Sequence, residues 1–446
     1  MEFSGLETIV IDLLRTPELR RLSRIRQTGL ASLVFPGAEH SRLAHALGSA
    51  FLAMRFVRQL EEATGFLSDI LRPTPEAVRD LGVAALCHDI GHGPFSHAWE
   101  REVVGHEYQH DRWAEALGVA PETEILRGLK WHELAGQALL AWGDGQLHQL
   151  LEQHESESST RVRMLLRGDY FPEYLPRLLS SDVDVDRADY LLRDAHACGV
   201  GYGRYDLNWL VSTCTVGQTH DGRYVVGFDA RKAPRVVEQF LIARAAMYDT
   251  VYSHKTVRSV ESMMGQLLRR LRDKGMPFTD SARLQLFEPY RRMLDGGTVG
   301  CPELLRLDDH SLLMLIEAIA NEGHGDVVAV DLAQRIVRRE LFKVVPLPPQ
   351  RVVEIAADED TMDRIRHAVQ RFCPGDPAYY VHVDRESFEM FSRADSHVGY
   401  FVDQDGHASS IRSHPLLERQ FQEVRLNWRL YTVAEAREAV LKVCGA

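Results

Sequence analysis

From Thr16 to about Trp209 the apolar residues recur mostly at helical spacing, and no other feature constrains the chain as much. Side chains three and four residues apart share one helix face, so this spacing commits a segment to burying a stripe against its neighbours. Between Ser41 and Leu60, Leu43, Leu47, Ala50, Phe51 and Met54 fall on one such stripe. A second helix is predicted from Asp80 to Ile90, stopped by Gly91-His92-Gly93-Pro94 because glycine and proline end helices. A third runs from about Val183 to His196 and meets Gly199, Gly201 and Gly203. No strand precedes these glycines, so they read as a helix stop and turn rather than as a phosphate loop.

Later segments differ. Alternation and β-branched residues from Arg223 to Phe228 predict a short strand or hairpin, and helical spacing returns over Pro234–Arg272 and Ser311–Phe342. The proline-rich run Val344-Val-Pro-Leu-Pro-Pro349 reads as a boundary. Beyond it, Arg351-Val-Val-Glu-Ile355, a helix near Thr361 to Phe372 and Ala378–Val383 suggest a small α+β module. The expected fold class is mainly α: a helical core, a short β-hairpin and a small C-terminal α+β module. At 446 residues, more than one folding unit is expected. The expected divisions are a core over 1–215, a hairpin and helical extension over 216–345 that completes the site and oligomer contacts, and the module over 346–446.

Composition narrows function by exclusion. Apolar residues at 45% and charged residues at 26% are ordinary for a globular chain. The apolar stretches are too short to cross a bilayer, and Met1–Gly5 has neither a basic region nor a signal core, so a cytoplasmic protein is expected. The six cysteines form no Cys-x-x-Cys pair, which argues against a zinc ribbon and a disulfide framework. A net charge of -12 does not favour broad nucleic-acid binding, although a local cluster of Arg, Lys and metal still accommodates a polyphosphate.

The most informative string is Cys87-His88-Asp89-Ile90-Gly91-His92-Gly93-Pro94-Phe95-Ser96-His97. His88 and Asp89 end an apolar helix, where imidazole and carboxylate converge on one point. That donor pair suits Mn, Fe, Zn, Ni or Co without choosing among them. The remaining ligands must come from elsewhere; His45 and Asp186 are the candidates, and the four together would leave positions open for water and a phosphate oxygen. Plainer readings stand beside each. His45 fits a satisfied core histidine, His88-Asp89 a hydrogen-bonded helix end, and the run Asp182, Asp184, Asp186 and Asp189 a solvated or capping stretch. Jointly those readings would need several coincidences.

Six ordered blocks carry a family resemblance: Thr16–Gly29, Phe35–Gly48, His88–His97, Asp184–Asp194, Met247–Lys255 and Arg339–Lys343. Collinear over roughly Thr16 to Val345, they resemble the HD-domain deoxynucleoside triphosphate triphosphohydrolases, including vertebrate members that carry an added sterile-alpha-motif module. The resemblance implies an HD-domain helical core and a metal held by His45, His88, Asp89 and Asp186, with Mg joining the ions above. It implies catalytic histidines at His92, His97 and a third position heading a helix. Register favours His132, in Lys130-Trp-His-Glu133, over His106 and His110. Gln27 matches the sugar-recognition glutamine and Arg42 the phosphate-contacting arginine, while Tyr190 and Asp194 line the sugar pocket. Arg187 stands where vertebrate members have Lys, His254 and Lys255 match positions along the triphosphate, and Glu100 is placed to orient a catalytic ring.

The implied reaction takes a dNTP and water to a deoxynucleoside and inorganic triphosphate. Family members are commonly dimers to hexamers, and several bind dNTPs as activators as well as substrates. Two rivals remain: a nucleotide monophosphatase or phosphodiesterase of the same superfamily, and a nucleotide-gated interaction protein whose hydrolysis is secondary.

Overall fold

Thr74 and Pro75 set the start of the helix that leads into the His-Asp pair. The Thr74 hydroxyl accepts from the Ala77 amide at 3.2 Å, and Pro75 occupies the first turn, where no amide hydrogen is needed. The helix Pro75–Cys87 therefore begins before Asp80, and His88 closes it. Nearly every residue from Ala77 to Cys87 is buried, as befits a helix packed on several sides. The computed structural model describes residues 6–63, 71–104, 110–119, 129–391, 397–421 and 425–445.

The helix Arg42–Ala63 packs along Pro75–Cys87, and Val185–Cys198 lies against it. Its buried face matches the predicted stripe only in part, at Ala50 and Met54. Leu47 and Phe51 are exposed, Phe51 by 64%, whereas His45, Ala46, Ser49, Ala50, Ala53, Phe56, Val57 and Leu60 are buried. Two polar residues belong to that face, His45, which meets the carboxylates of the Val185 helix, and Ser49, one turn along from it, so apolar spacing alone shifts the stripe. The helix Val185–Cys198 is capped by Asp184, whose side chain accepts from the Arg187 amide at 2.8 Å, and it stops at Gly199 as expected.

Two predicted helices are interrupted. Pro234–Arg272 divides into Pro234–Met247, a π-helical turn at Tyr248–Tyr252, and Lys255–Lys274. Ser311–Phe342 divides into Asp309–Glu322 and Val327–Val337, with Gly323-His324-Gly325 between them. Arg351–Ile355, although β-branched, lies in the helix Pro349–Ala357: a proline opens it, and Val352 and Ile355 are buried at helical spacing.

The strands are few. Cys214–Gln218 and Tyr224–Asp229 form the predicted hairpin, with Cys214 opposite Phe228. Tyr400–Val402 adds to it in parallel, Phe228 opposite Phe401, and Ala408–Ser410 completes a four-stranded sheet. A second sheet places Arg425–Thr432 between Lys343–Val344 and Val381–Phe388. The mainly helical expectation holds, and one contiguous set of buried apolar residues extends from Ile9 to Cys444. Cys87, Cys214, Cys301 and Cys444 are buried, none in a disulfide. No described helix is long and apolar enough to cross a membrane.

Candidate metal centre and reaction site

Three helices deliver His45, His88 with Asp89, and Asp186 to one point. His45 Nε2 lies 2.9 Å from Asp186 Oδ1 and 3.2 Å from His88 Nε2. His88 Nε2 is 3.4 Å from Asp89 Oδ1 and 3.5 Å from Asp186 Oδ1. Ligand atoms of His45, His88 and Asp89 all fall within 4.8 Å of one another. The far nitrogens are already engaged. His88 Nδ1 donates to the Ala85 carbonyl at 2.7 Å, and His45 Nδ1 faces the Asp189 carboxylate at 2.8 Å. A carbonyl or carboxylate can only accept, so both Nδ1 atoms carry hydrogen and both Nε2 atoms are the ones turned inward, where a cation would replace any proton on them. Two imidazole nitrogens and two carboxylates, with their outer partners in place, fit a divalent cation.

The electrostatics point the same way. Burial alone lowers the His45 imidazole, but its hydrogen bonds to Asp186 and Asp189 outweigh that and push it up to about 10. Burial also opposes ionisation of Asp186, yet His45 and His88 hold its carboxyl well below the usual carboxylate range. Asp89 is likewise lowered against its burial, by Arg42, His88 and His92. Arg42 grips Asp89 through Nη1 and donates from Nε to Ser96 Oγ at 3.0 Å. Gly48 makes room for Asp189: a Cβ there would stand 1.8 Å from Asp189 Oδ1.

Beside the cluster, His92 Nε2 is 3.3 Å from Asp89 Oδ1, and its ring stacks on His132 with centroids 4.1 Å apart and planes at 13°. His132 Nδ1 lies 2.7 Å from Glu100 Oε2. Burial, then Arg42 and His132, lower the His92 imidazole well below its ordinary value. Gly91 permits this stack, because a Cβ at that position would sit 2.0 Å from the His132 carbonyl oxygen and 2.3 Å from the Gly136 nitrogen. The turn continues through Phe95 and Ser96, both with positive φ, at 50° and 54°. Left-handed backbone at two successive side-chain-bearing residues needs outside support. Asp309 supplies it: its carboxylate accepts from the Phe95 amide at 2.7 Å and from the Arg26 amide at 2.9 Å.

The structure treats the remaining predicted residues unequally. Asp194 receives Tyr252 Oη at 2.7 Å and His40 Nε2 at 2.7 Å, and Tyr190 packs edge-on between His45 and Tyr252. Gln27 pairs its backbone with His40, and its buried Oε1 has no partner among the described residues. Arg187 is engaged by Asp184 and the Ser181 carbonyl. His254 and Lys255 line a cavity of about 490 Å³ with Asp249, Trp428 and Arg429, which none of the other candidate residues lines. His97 begins the short helix His97–Trp99, its side chain lying outside the described residues. His106 also lies outside them, and His110 opens the helix His110–Ala116, with Asp111 at 3.5 Å.

Sequence reasoning missed His40, Asp189, Tyr252 and Asp309. Asp189 is the nearest to legible, since it belongs to the same acidic run as Asp186 and lies one turn before Arg193, to which it is also paired at 2.7 Å.

An HD-domain model matches residues 42–194, and an HD-associated-region model matches residues 219–289. An uncharacterized protein of Bacillus subtilis is 30% identical over 389 residues, covering 85% of this chain and 76% of that protein. A deoxynucleoside triphosphate triphosphohydrolase of Gallus gallus is 25% identical over 366 residues, covering 79% of this chain; the chain spans 56% of that relative's length. Among solved structures, a phosphohydrolase of Bacteroides thetaiotaomicron shares the fold with a TM-score of 0.69 at 24% identity, covering 95% of this chain and 94% of that one.

Proposed function

The chain belongs to the HD-domain family, and on that premise we propose that it is a metal-dependent deoxynucleoside triphosphate triphosphohydrolase. The reading rests on one observation above the rest: the donor atoms of His45, His88 and Asp89 converge, with Asp186 against both histidines, beside Arg42 and the stacked histidines. The likeness to named dNTP triphosphohydrolases in several animals supports the substrate class.

When bound at these residues, a divalent cation supplies Lewis acidity at a phosphoryl oxygen and an acidic water. The chain does the rest. The water oxygen bonds to the α-phosphorus as the bond from phosphorus to the 5′ oxygen breaks, giving deoxynucleoside and inorganic triphosphate. Arg42, fixed by Asp89 and Ser96, presents its guanidinium where phosphoryl charge develops. His132, backed by Glu100 and stacked on His92, delivers the proton that the departing 5′ oxygen needs, and His92 holds that ring in place. Gln27, whose buried oxygen lacks a partner among the described residues, and the Asp194–Tyr252 pair recognise the sugar. dNTPs would then be substrates, and activators where the chain assembles into homo-oligomers.

The test is product analysis of the metal-loaded protein with each dNTP and NTP under Mn, Mg, Fe and Co. Deoxynucleoside and inorganic triphosphate in equal amounts are expected. Diphosphate or orthophosphate as the only inorganic product would replace this reaction with another of the superfamily. Assembly that depends on nucleotide, without turnover, would favour the interaction protein.

A further inference from the structure

Five arginines, Arg101, Arg112, Arg269, Arg272 and Arg385, line a cavity of about 860 Å³. It lies where the turn Glu100–Val104, the helix Lys255–Lys274 and the strand Val381–Phe388 meet. In a chain of net charge -12 this local excess of cation runs against the overall balance. Two carboxylates share the lining, Glu102 and Asp384. Asp384 is already occupied by Arg258, which takes both of its oxygens, and Glu102 Oε1 accepts from Arg101 Nε at 3.1 Å. Arg272 donates to the Glu102 backbone carbonyl at 2.8 Å, Arg385 lies over the Trp428 ring at 5.2 Å, and Arg269 reaches no nearer to Asp273 than 3.8 Å. Arg112 has no ion-pair partner among the described residues. The cavity therefore carries more guanidinium than its own carboxylates neutralise.

A second observation is independent of charge. Gln266 lines the same cavity and is only 5% exposed. One end of its amide meets His382 Nδ1 at 3.0 Å, while the other end, Oε1, is buried without a partner among the described residues. A buried amide left half-bonded is costly unless something else completes it.

We propose that this cavity binds a small oligophosphate anion, two or more phosphoryl groups long, at a place apart from the metal cluster. None of His45, His88, Asp89 or Asp186 lines it. Guanidinium groups pair with phosphoryl oxygens in two-pronged contacts, and several of them around one hollow suit a chain of phosphates better than a single one. The concave shape and the acidic surface elsewhere favour a small anion over an extended nucleic acid. The Gln266 amide would complete its bonding on the ligand. The phosphate chain has two sources, inorganic oligophosphate and a nucleotide, which share this chemistry.

Binding is tested by calorimetry on full-length protein with metal removed by chelation, and again on the Asp186→Ala variant, so that neither the metal nor turnover enters the reading. Inorganic triphosphate and ATP are titrated in parallel. Saturable binding that weakens with salt is expected in both backgrounds. The double charge reversal Arg112→Glu with Arg272→Glu is expected to weaken it about tenfold or more. Gln266→Leu is expected to weaken it while leaving the thermal midpoint unchanged or higher. Binding of both probes points to the phosphate chain alone, and binding of ATP only to a nucleotide; either supports the site. No saturable binding, equal binding by the double variant, or tighter capture of a single-stranded oligonucleotide by the same arginines would overturn it.

Discussion

The Nε2 atoms of His45 and His88 face each other across 3.2 Å, each ring having placed its other nitrogen on an acceptor. Two imidazole lone pairs at that separation repel unless positive charge stands between them. Without metal a proton takes that role: burial opposes it, but Asp186 and Asp189 push His45 up to about 10. A divalent cation displaces the proton, so metal binding releases it and weakens as pH falls. A ligand that binds only the folded state adds about 2.7 kcal/mol at a hundredfold excess over its dissociation constant. Manganese or another of the candidate ions is therefore expected to raise the thermal midpoint of the wild type, and not that of Asp186→Ala or His88→Ala. Wild-type melting unmoved by every ion tried would end the metal reading.

Asp189 acts on the metal through His45. Its carboxylate holds the Nδ1 hydrogen and so fixes which nitrogen points inward. Asp189→Asn keeps the shape but offers His45 an amide that can turn either its oxygen or its nitrogen toward the ring. Metal affinity is expected to fall by roughly 10- to 100-fold, the usual cost of losing such an outer partner. Competition against a chelator of known affinity measures it. A variant that binds as tightly as wild type would show that the Ala85 contact on His88 and the cation alone suffice to orient the rings.

Legibility tracked how local each signal is. His88 and Asp89 stand out because an apolar helix ending in Gly-His-Gly-Pro has few other reasons to carry them, and the mainly helical character follows from spacing alone. Asp189 looks like one more acid in a run whose neighbour Asp184 is indeed a helix cap. Its tie to His45 depends on two helices crossing at Gly48, which no window of sequence displays. Asp309 lies 214 residues from Phe95, whose backbone it supports, so that link exists only in the folded chain. The misread face of the Arg42 helix has the same origin: hydrophobic spacing finds the buried side only where the buried side is hydrophobic, and here it carries His45 and Ser49. The strand pairing of Phe228 with Phe401 joins segments too far apart in sequence to be paired by reading either.

Gly91 tests whether the His92–His132 stack matters. A methyl group there would meet the His132 backbone carbonyl oxygen at 2.0 Å, and backbone cannot rotate aside, so the helix Trp131–Ala141 must move away. Overpacking of this kind costs about 1–3 kcal/mol, and a displacement near 1 Å at a reacting group costs on the order of 100-fold in rate. Gly91→Ala is expected to lower kcat by that order while metal binding, measured separately, changes little. Full activity with the same melting loss would assign the stack a packing role only.

Asp309 gives the chain a stability profile of its own. Burial pushes its carboxyl up to about 6, against the lowering effect of the Arg26 and Phe95 amides that it accepts. In the unfolded chain the same group titrates near 4. Between those values the folded state holds a proton that the unfolded state has lost, so stability falls as pH rises through that window and is flat above it. A shift of about two units corresponds to on the order of 3 kcal/mol. Asp309→Asn removes this slope. The amide oxygen still accepts one of the two backbone hydrogens, at the cost of about 1 kcal/mol for the other. Urea midpoints measured from about pH 4 to pH 7 should therefore cross, the wild type starting higher at acid pH and falling below the variant toward neutrality. Parallel curves would mean that Asp309 stays ionised while bracing Phe95, and that the left-handed turn is held by a buried carboxylate at every pH in the range.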